Sequence, residues 1–188
     1  MLNVPNALTM ARLLAVPIFI VASFRGHYAL AFVLFVGAAV TDILDGMIAR
    51  RFNQRSRLGA VLDPAADKTM MVSGYLFYTL RHGLPVVTMP PWLTFTVFIR
   101  DFLIISFAYL MYTRVRVTRF PPSVAGKAST VIQAMTLGAV IAANAWGAAW
   151  LLWLAEMLFR VTVVTTLVSG WDYMRRAERM LDPLAAPK

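Results

Sequence analysis

Between Asp42 and Asp67 the chain places Asp42, Asp45, Asp63 and Asp67, four of the nine acidic residues in 188. Their surroundings are otherwise strongly apolar. Asp42 and Asp45 are three apart and Asp63 and Asp67 four apart, so within helices each pair projects from one face. The pairs meet only if the two segments form an antiparallel hairpin turning in the polar, basic stretch Arg50–Leu58. An Asp at the bilayer centre costs roughly 2.5–3.5 kcal/mol on insertion scales, so four converging carboxylates are a poor device for stability and a good one for binding cations. Oxygen-only donors favour hard ions such as Mg²⁺, Mn²⁺ or Ca²⁺. The chain has no cysteine, which removes thiolate ligands and disulfides together. Two such ions sharing a carboxylate are a common clamp for a phosphoryl group.

The neighbouring residues suit that chemistry. Gly46 and Ala49 lie on or near the face of Asp42 and Asp45, where missing side-chain volume lets a ligand approach the backbone. Arg50 follows, a fork of donors matched to phosphate oxygens. A structural alternative makes Asp63 a helix N-cap before Pro64 and the arginines of the loop a topology signal, but it leaves Asp42, Asp45 and the spacing unexplained.

Asp42, Asp45, Gly46, Ala49, Arg50, Gly59, Asp63 and Asp67 fit without gap or substitution the pattern D-x2-D-G-x2-A-R-x8-G-x3-D-x3-D. In this the sequence resembles the CDP-alcohol phosphotransferases. The resemblance implies an all-α integral membrane enzyme that transfers a substituted phosphate from a CDP-linked donor to an alcohol and releases CMP. It implies that Asp42, Asp45 and Asp63 are metal ligands, with Asp63 the bridge, and that Asp67 is the catalytic base and a further ligand. Gly46, Ala49, Arg50 and Gly59 then line the cytidine diphosphate site, and Mg²⁺ or Mn²⁺, two ions, is the cofactor. A homodimer is part of the same implication.

These residues need helices to carry them. With 60% hydrophobic residues, the 188-residue chain suits a single membrane domain over its whole length. The net charge of +9 in so apolar a chain fits cytoplasmic loops and anionic headgroups rather than nucleic acid. The first apolar run outlasts a signal-peptide core and reads as a retained helix. Apolar runs predict six transmembrane helices, with ends near Thr9 and Phe24, Tyr28 and Arg50, Ala60 or Asp63 and Leu80, Trp92 and Tyr112, Val124 and Ala143, and Ala148 and Trp171. A polar, basic tail follows. Trp92, Trp146, Trp150 and Trp171 fall near proposed helix ends, as interfacial aromatics do. The Arg50–Leu58 loop, the stretch holding Arg114, Arg116, Arg119 and Lys127, and the tail are basic, whereas the other connections offer Arg25 and Arg81. The positive-inside rule therefore puts both termini and the mouth of the motif in the cytoplasm of a cell (inner) membrane protein.

Charges inside the apolar runs have two readings each. Arg12 either snorkels to headgroups or points to the site, and the pattern N-x-P-N-x-L-T-x2-R ending on it resembles the start of bacterial phosphatidylglycerophosphate synthases and related cardiolipin synthases. Lys68 is a counter-charge or a phosphate contact. Arg100 and Asp101 are a structural pair, or Arg100 binds an anionic acceptor. Glu156 and Arg160, four apart, can form an intramembrane pair, read as structural rather than catalytic.

Chain length, amino terminus and motif surroundings look most like the phosphatidylglycerophosphate synthases, which implies CDP-diacylglycerol as donor and glycerol 3-phosphate as acceptor. Arg12, Arg100, Arg114, Arg116, Arg119 and Lys127 are then the candidates for the acceptor pocket. The Arg100–Asp101 pair and the stretch PPSVAGKASTVIQ also resemble cardiolipin synthases, whose acceptor is phosphatidylglycerol. An ion- or proton-coupled transporter is the reading from another class, disfavoured by the absence of an inverted repeat and by the complete motif.

Overall fold

The computed structural model describes residues 4–51, 59–110, 113 and 123–185, and the side chains of residues 10–42, 68–110, 113 and 123–176. Among them there are helices and no strands: α1 (Val4–Phe24), α2 (Tyr28–Arg51), α3 (Gly59–Leu80), α4 (Pro91–Leu110), α5 (Val124–Trp146) and α6 (Ala149–Ala185). The positions agree with the hydrophobic runs. Two ends differ in an instructive way. α3 begins at Gly59, so Asp63 stands within the helix instead of capping it. α6 runs through the polar tail to Ala185, where nothing before Pro183 forbids a helix and Arg176 pairs with Asp172 one turn back at 3.1 Å.

Three segments among the described residues are long and apolar enough to cross a membrane: Pro91–Leu110, Val124–Trp146 and Ala149–Arg176. Met10–Phe24 and Tyr28–Asp42 are shorter apolar helices. Large apolar side chains such as Leu14, Phe95, Phe102 and Tyr109 stand outward, which suits acyl chains and not water. The chain is a multi-pass membrane protein.

The fold divides into two compact units, Met1–Met89 with Leu137–Leu154, and Pro90–Thr136 with Ala155–Lys188. In the first, α1 packs on both α2 and α3. Val16, Phe19 and Ala22 recur at helical spacing on the buried side of α1, and Tyr75 and Tyr78 fill the centre from α3. Gly74 lets α3 approach the Leu137 side chain of α5, since a Cβ there would come within 2.5 Å of its Cδ2. The turn after α1 is closed by His27 N donating to Ala22 O at 2.9 Å and Gly26 N to Ser23 O at 3.2 Å, with Gly26 at φ 78°. This is a Schellman ending, and it sends α2 straight back along α1.

Asn144 of α5 fastens the α3–α4 connection to this unit. Its Oδ1 accepts from Val86 N and Val87 N at 3.1 and 3.3 Å, while Nδ2 donates to Val87 O and Val140 O at 2.8 and 2.9 Å. All four hydrogen-bonding positions of the buried amide are thereby used.

In the second unit the buried side of α4 consists of Leu93, Thr94, Val97 and Arg100. Between α5 and α6 a run of buried polar side chains lies beside Ala155 and Phe159. Thr136 shares a 2.6 Å hydrogen bond with Thr162, and the Gln133 amide donates to Ser129 and Thr166 at 3.2 and 3.3 Å. Such hydroxyl-to-amide contacts join helices where no hydrophobic effect is at work between them.

Candidate active site

The turn at Gly26 sets the geometry of the motif end. Arg12 lies twelve residues before Phe24 and Asp42 fourteen after Tyr28, or about 18 and 21 Å along two antiparallel helices. The two side chains therefore arrive at one level. Arg12 Nη1 donates to Asp42 Oδ1 at 2.9 Å, with the Arg12 side chain 1% exposed and that of Asp42 41% exposed. A guanidinium buried this deeply needs an anionic partner. α1 thus brings a buried cation to the first aspartate of the motif.

The remaining motif residues continue on the same two helices. α2 stays helical through Asp45, Gly46, Ala49 and Arg50 to Arg51, and α3 is helical from Gly59 through Asp63 and Asp67. α2 packs against α3, as the two aspartate pairs require, while residues 52–58 between them lie outside the described residues. The side chains of Asp45, Gly46, Ala49, Arg50, Gly59, Asp63 and Asp67 lie outside the described residues. Lys68, one position further, is exposed.

Asp42 fits a divalent ion. Arg12 Nη1 reaches its Oδ1, and the Asp42 side chain remains 41% exposed among the described residues. The donor set along α2 and α3 is carboxylate throughout, the chemistry of Mg²⁺ or Mn²⁺ rather than of a thiophilic metal.

A second polar node sits in the other unit around Arg100, which is 9% exposed. Arg100 Nη1 donates to Asp101 Oδ1 at 2.8 Å, Nη2 donates to Ser169 Oγ, and the guanidinium lies over the Tyr173 ring, 5.9 Å from its centroid. Gly126 makes room for it, since a Cβ there would meet Tyr173 Cε2 at 3.1 Å and Arg100 Nη2 at 3.3 Å. Beside Arg100 is a cavity of about 970 Å³ between α4 and α6, walled by Ile99, Leu103, Phe107 and Leu167 among others.

Of the other cations proposed from sequence, Lys127 is exposed on the first turn of α5, with no side-chain hydrogen bond or ion pair recorded among the described residues. Arg114, Arg116 and Arg119 lie outside the described residues. Glu156 and Arg160 are both exposed, and the structure records no ion pair between them among the described residues, contrary to the pairing expected from their spacing. Both point away from the interior of their unit, where no partner fixes their geometry. Sequence reasoning missed Ser169, Tyr173 and Gly126 as partners of Arg100. Their signal was Thr162, Thr166, Ser169 and Tyr173 recurring every three or four residues on one face of an apolar helix.

Comparison with known proteins agrees with this geometry. The chain is 30% identical to a probable phosphatidylglycerophosphate synthase of Mycobacterium tuberculosis, over 94% of this chain and 82% of that protein. It is 31% identical to a CDP-diacylglycerol–glycerol-3-phosphate 3-phosphatidyltransferase of Aquifex aeolicus, over 96% and 98% of the two chains. A CMP-forming cardiolipin synthase of Homo sapiens is 30% identical over 91% of this chain and 60% of its own length. The family model described as CDP-alcohol phosphatidyltransferase matches residues 2–168, a stretch holding the whole motif, Arg12 and Arg100, and the chain belongs to that family.

Proposed function

We propose that this protein transfers the phosphatidyl group of CDP-diacylglycerol to glycerol 3-phosphate, forming phosphatidylglycerophosphate and CMP. The observation that carries the reading is the complete motif on two hairpin helices, at the end where Arg12 meets Asp42. The acceptor follows the bacterial relatives, which bear that activity in their names over nearly the full length of this chain.

In this reading Asp42, Asp45, Asp63 and Asp67 would hold the divalent metal, Mg²⁺ or Mn²⁺, through carboxylate oxygens. Bound metal neutralises the donor diphosphate and stabilises CMP as a leaving group. Asp67 takes the proton of the acceptor hydroxyl as that oxygen bonds to the phosphorus carrying diacylglycerol. The bond from that phosphorus to the CMP oxygen breaks, and the electron pair leaves with CMP. Gly46, Ala49, Arg50 and Gly59 receive the cytidine diphosphate, Arg50 through phosphate oxygens.

Arg12 acts on Asp42 rather than on the acceptor, because its guanidinium is buried against that carboxylate. The acceptor phosphate falls to Arg100, with Arg114, Arg116, Arg119 and Lys127 as the further candidates from the sequence. The whole chain works as one domain of six transmembrane helices in the bacterial inner membrane, as a homodimer, with termini and site towards the cytoplasm, where the CDP-linked donor is reached.

One observation favours a second acceptor. The cavity of about 970 Å³ beside Arg100 is walled by apolar side chains, which suits an amphiphile better than a small polar acid. Phosphatidylglycerol would then be the acceptor and cardiolipin the product. CMP release from CDP-diacylglycerol, followed with each acceptor in turn in detergent–lipid micelles, separates the two. Glycerol 3-phosphate alone should support release under the first reading, and phosphatidylglycerol alone under the second. Silence with both would return the protein to non-enzymatic readings.

A further inference from the structure

At the end of the first unit away from the motif, the ends of α1 and α3 enclose a second cavity, of about 600 Å³. Its walls are apolar, with Ile20 and Phe24 from α1 and Leu76, Phe77 and Leu80 from α3. From Ser73 to Leu80 it follows two turns of α3, about 10 Å of depth. Phe24, Leu76 and Leu80 are exposed, so the cleft opens sideways onto the acyl chains of the bilayer.

Arg81 and His82 stand at its mouth. The Arg81 guanidinium carbon lies 5.6 Å from the centre of the Phe24 ring, and that ring is itself set edge-on to Phe77 at 4.8 Å. Basic residues after a helix complement its last carbonyls, and Arg25 and His27 also stand at this end. That accounts for a cation after Leu80 but not for its reaching across to a ring of α1 at the mouth of a cleft. No acid of the unit is near enough to answer it. The acidic residues of this unit are Asp42, Asp45, Asp63 and Asp67, all in the motif, and along α3 Asp67 is thirteen residues or about 20 Å from Leu80.

We infer that this cleft binds an anionic phospholipid of the leaflet opposite the motif, its phosphate on Arg81 and His82 and an acyl chain along Ile20, Leu76 and Leu80. Charge complementarity selects the occupant. A basic mouth without an acid of its own calls for an anion, and walls two turns deep call for that anion to carry hydrocarbon. A free phosphate would use the mouth and leave the walls bare, and a zwitterionic lipid would bring a cation of its own against Arg81. The site lies at the opposite end from the proposed chemistry, and the inference is independent of it.

A photoactivatable phosphatidic acid, with a diazirine midway along one acyl chain, tests this on the full-length protein in mild non-ionic detergent. Light should attach it to the peptide covering residues 73–80, mapped by mass spectrometry. Unlabelled phosphatidic acid should compete that label away at a concentration about tenfold lower than phosphatidylcholine of the same chains, and inorganic phosphate should not compete. Arg81→Gln, at an exposed position, should lower the label by about fivefold or more, while Arg81→Lys keeps part of it. The unfolding temperature in detergent alone should be the same in all three chains, so that the loss is one of binding and not of fold. No label at 73–80, equal competition by phosphatidylcholine, displacement by inorganic phosphate, or undiminished label in Arg81→Gln would each overturn the inference.

Discussion

At the scale of single residues, the proposed activity rests on carboxylates held for cation chemistry and on Arg12, which pairs with one of them. Asp42→Asn, Asp45→Asn and Asp63→Asn should each lower turnover by roughly a hundredfold or more while raising the Mn²⁺ concentration needed for half-maximal rate. Asp67→Asn should lose turnover comparably but keep donor binding, read as retention of CDP-diacylglycerol by the purified variant. If all four kept full activity, the assignment of the site would be wrong. Arg12 has a distinct expectation, since it touches Asp42 and is 2% exposed. Arg12→Met should weaken apparent metal affinity or rate by about 10- to 100-fold, with the KM for the acceptor little changed, and Arg12→Lys should recover part of the loss. A selective rise in acceptor KM would instead make Arg12 an acceptor residue.

At the scale of elements, two side chains fix how helices and connections are held. Asn144→Leu strips the Val86 and Val87 N–H groups of their acceptor and should cost about 2 kcal/mol or more, seen as a lower unfolding temperature in detergent. Gly126→Ala puts a methyl against the Tyr173 ring and Arg100. It should raise the KM for an anionic acceptor several-fold while leaving metal dependence unchanged. The helices were legible because the apolar runs and the aspartate spacing pointed the same way. The hairpin of α2 and α3 follows from the motif alone. The partnership of Arg12 with Asp42 was not legible, because thirty residues separate them and only the matched lengths of α1 and α2 bring them level. Nor was the polar filling between α5 and α6, since Thr162, Thr166 and Ser169 look ordinary in an apolar run until a facing helix supplies Ser129, Gln133 and Thr136. The helical tail escaped notice because hydropathy marks where a helix leaves the membrane and not where it ends.

At the scale of the whole molecule, the two units divide polar chemistry between an aspartate-bearing hairpin and an arginine node. Both are set in helices whose outward faces are apolar. Removal of divalent ions with a chelator should stop transfer completely, and Mg²⁺ or Mn²⁺ added in excess should restore it, because carboxylates alone would repel a diphosphate. The most direct test of the central claim follows labelled glycerol 3-phosphate into the lipid phase, using purified protein, CDP-diacylglycerol and a divalent ion. The expected result is label in lipid with CMP released in equal amount, and almost none of either with Asp67→Asn. No transfer by the unaltered chain, or undiminished transfer by Asp67→Asn, would contradict it.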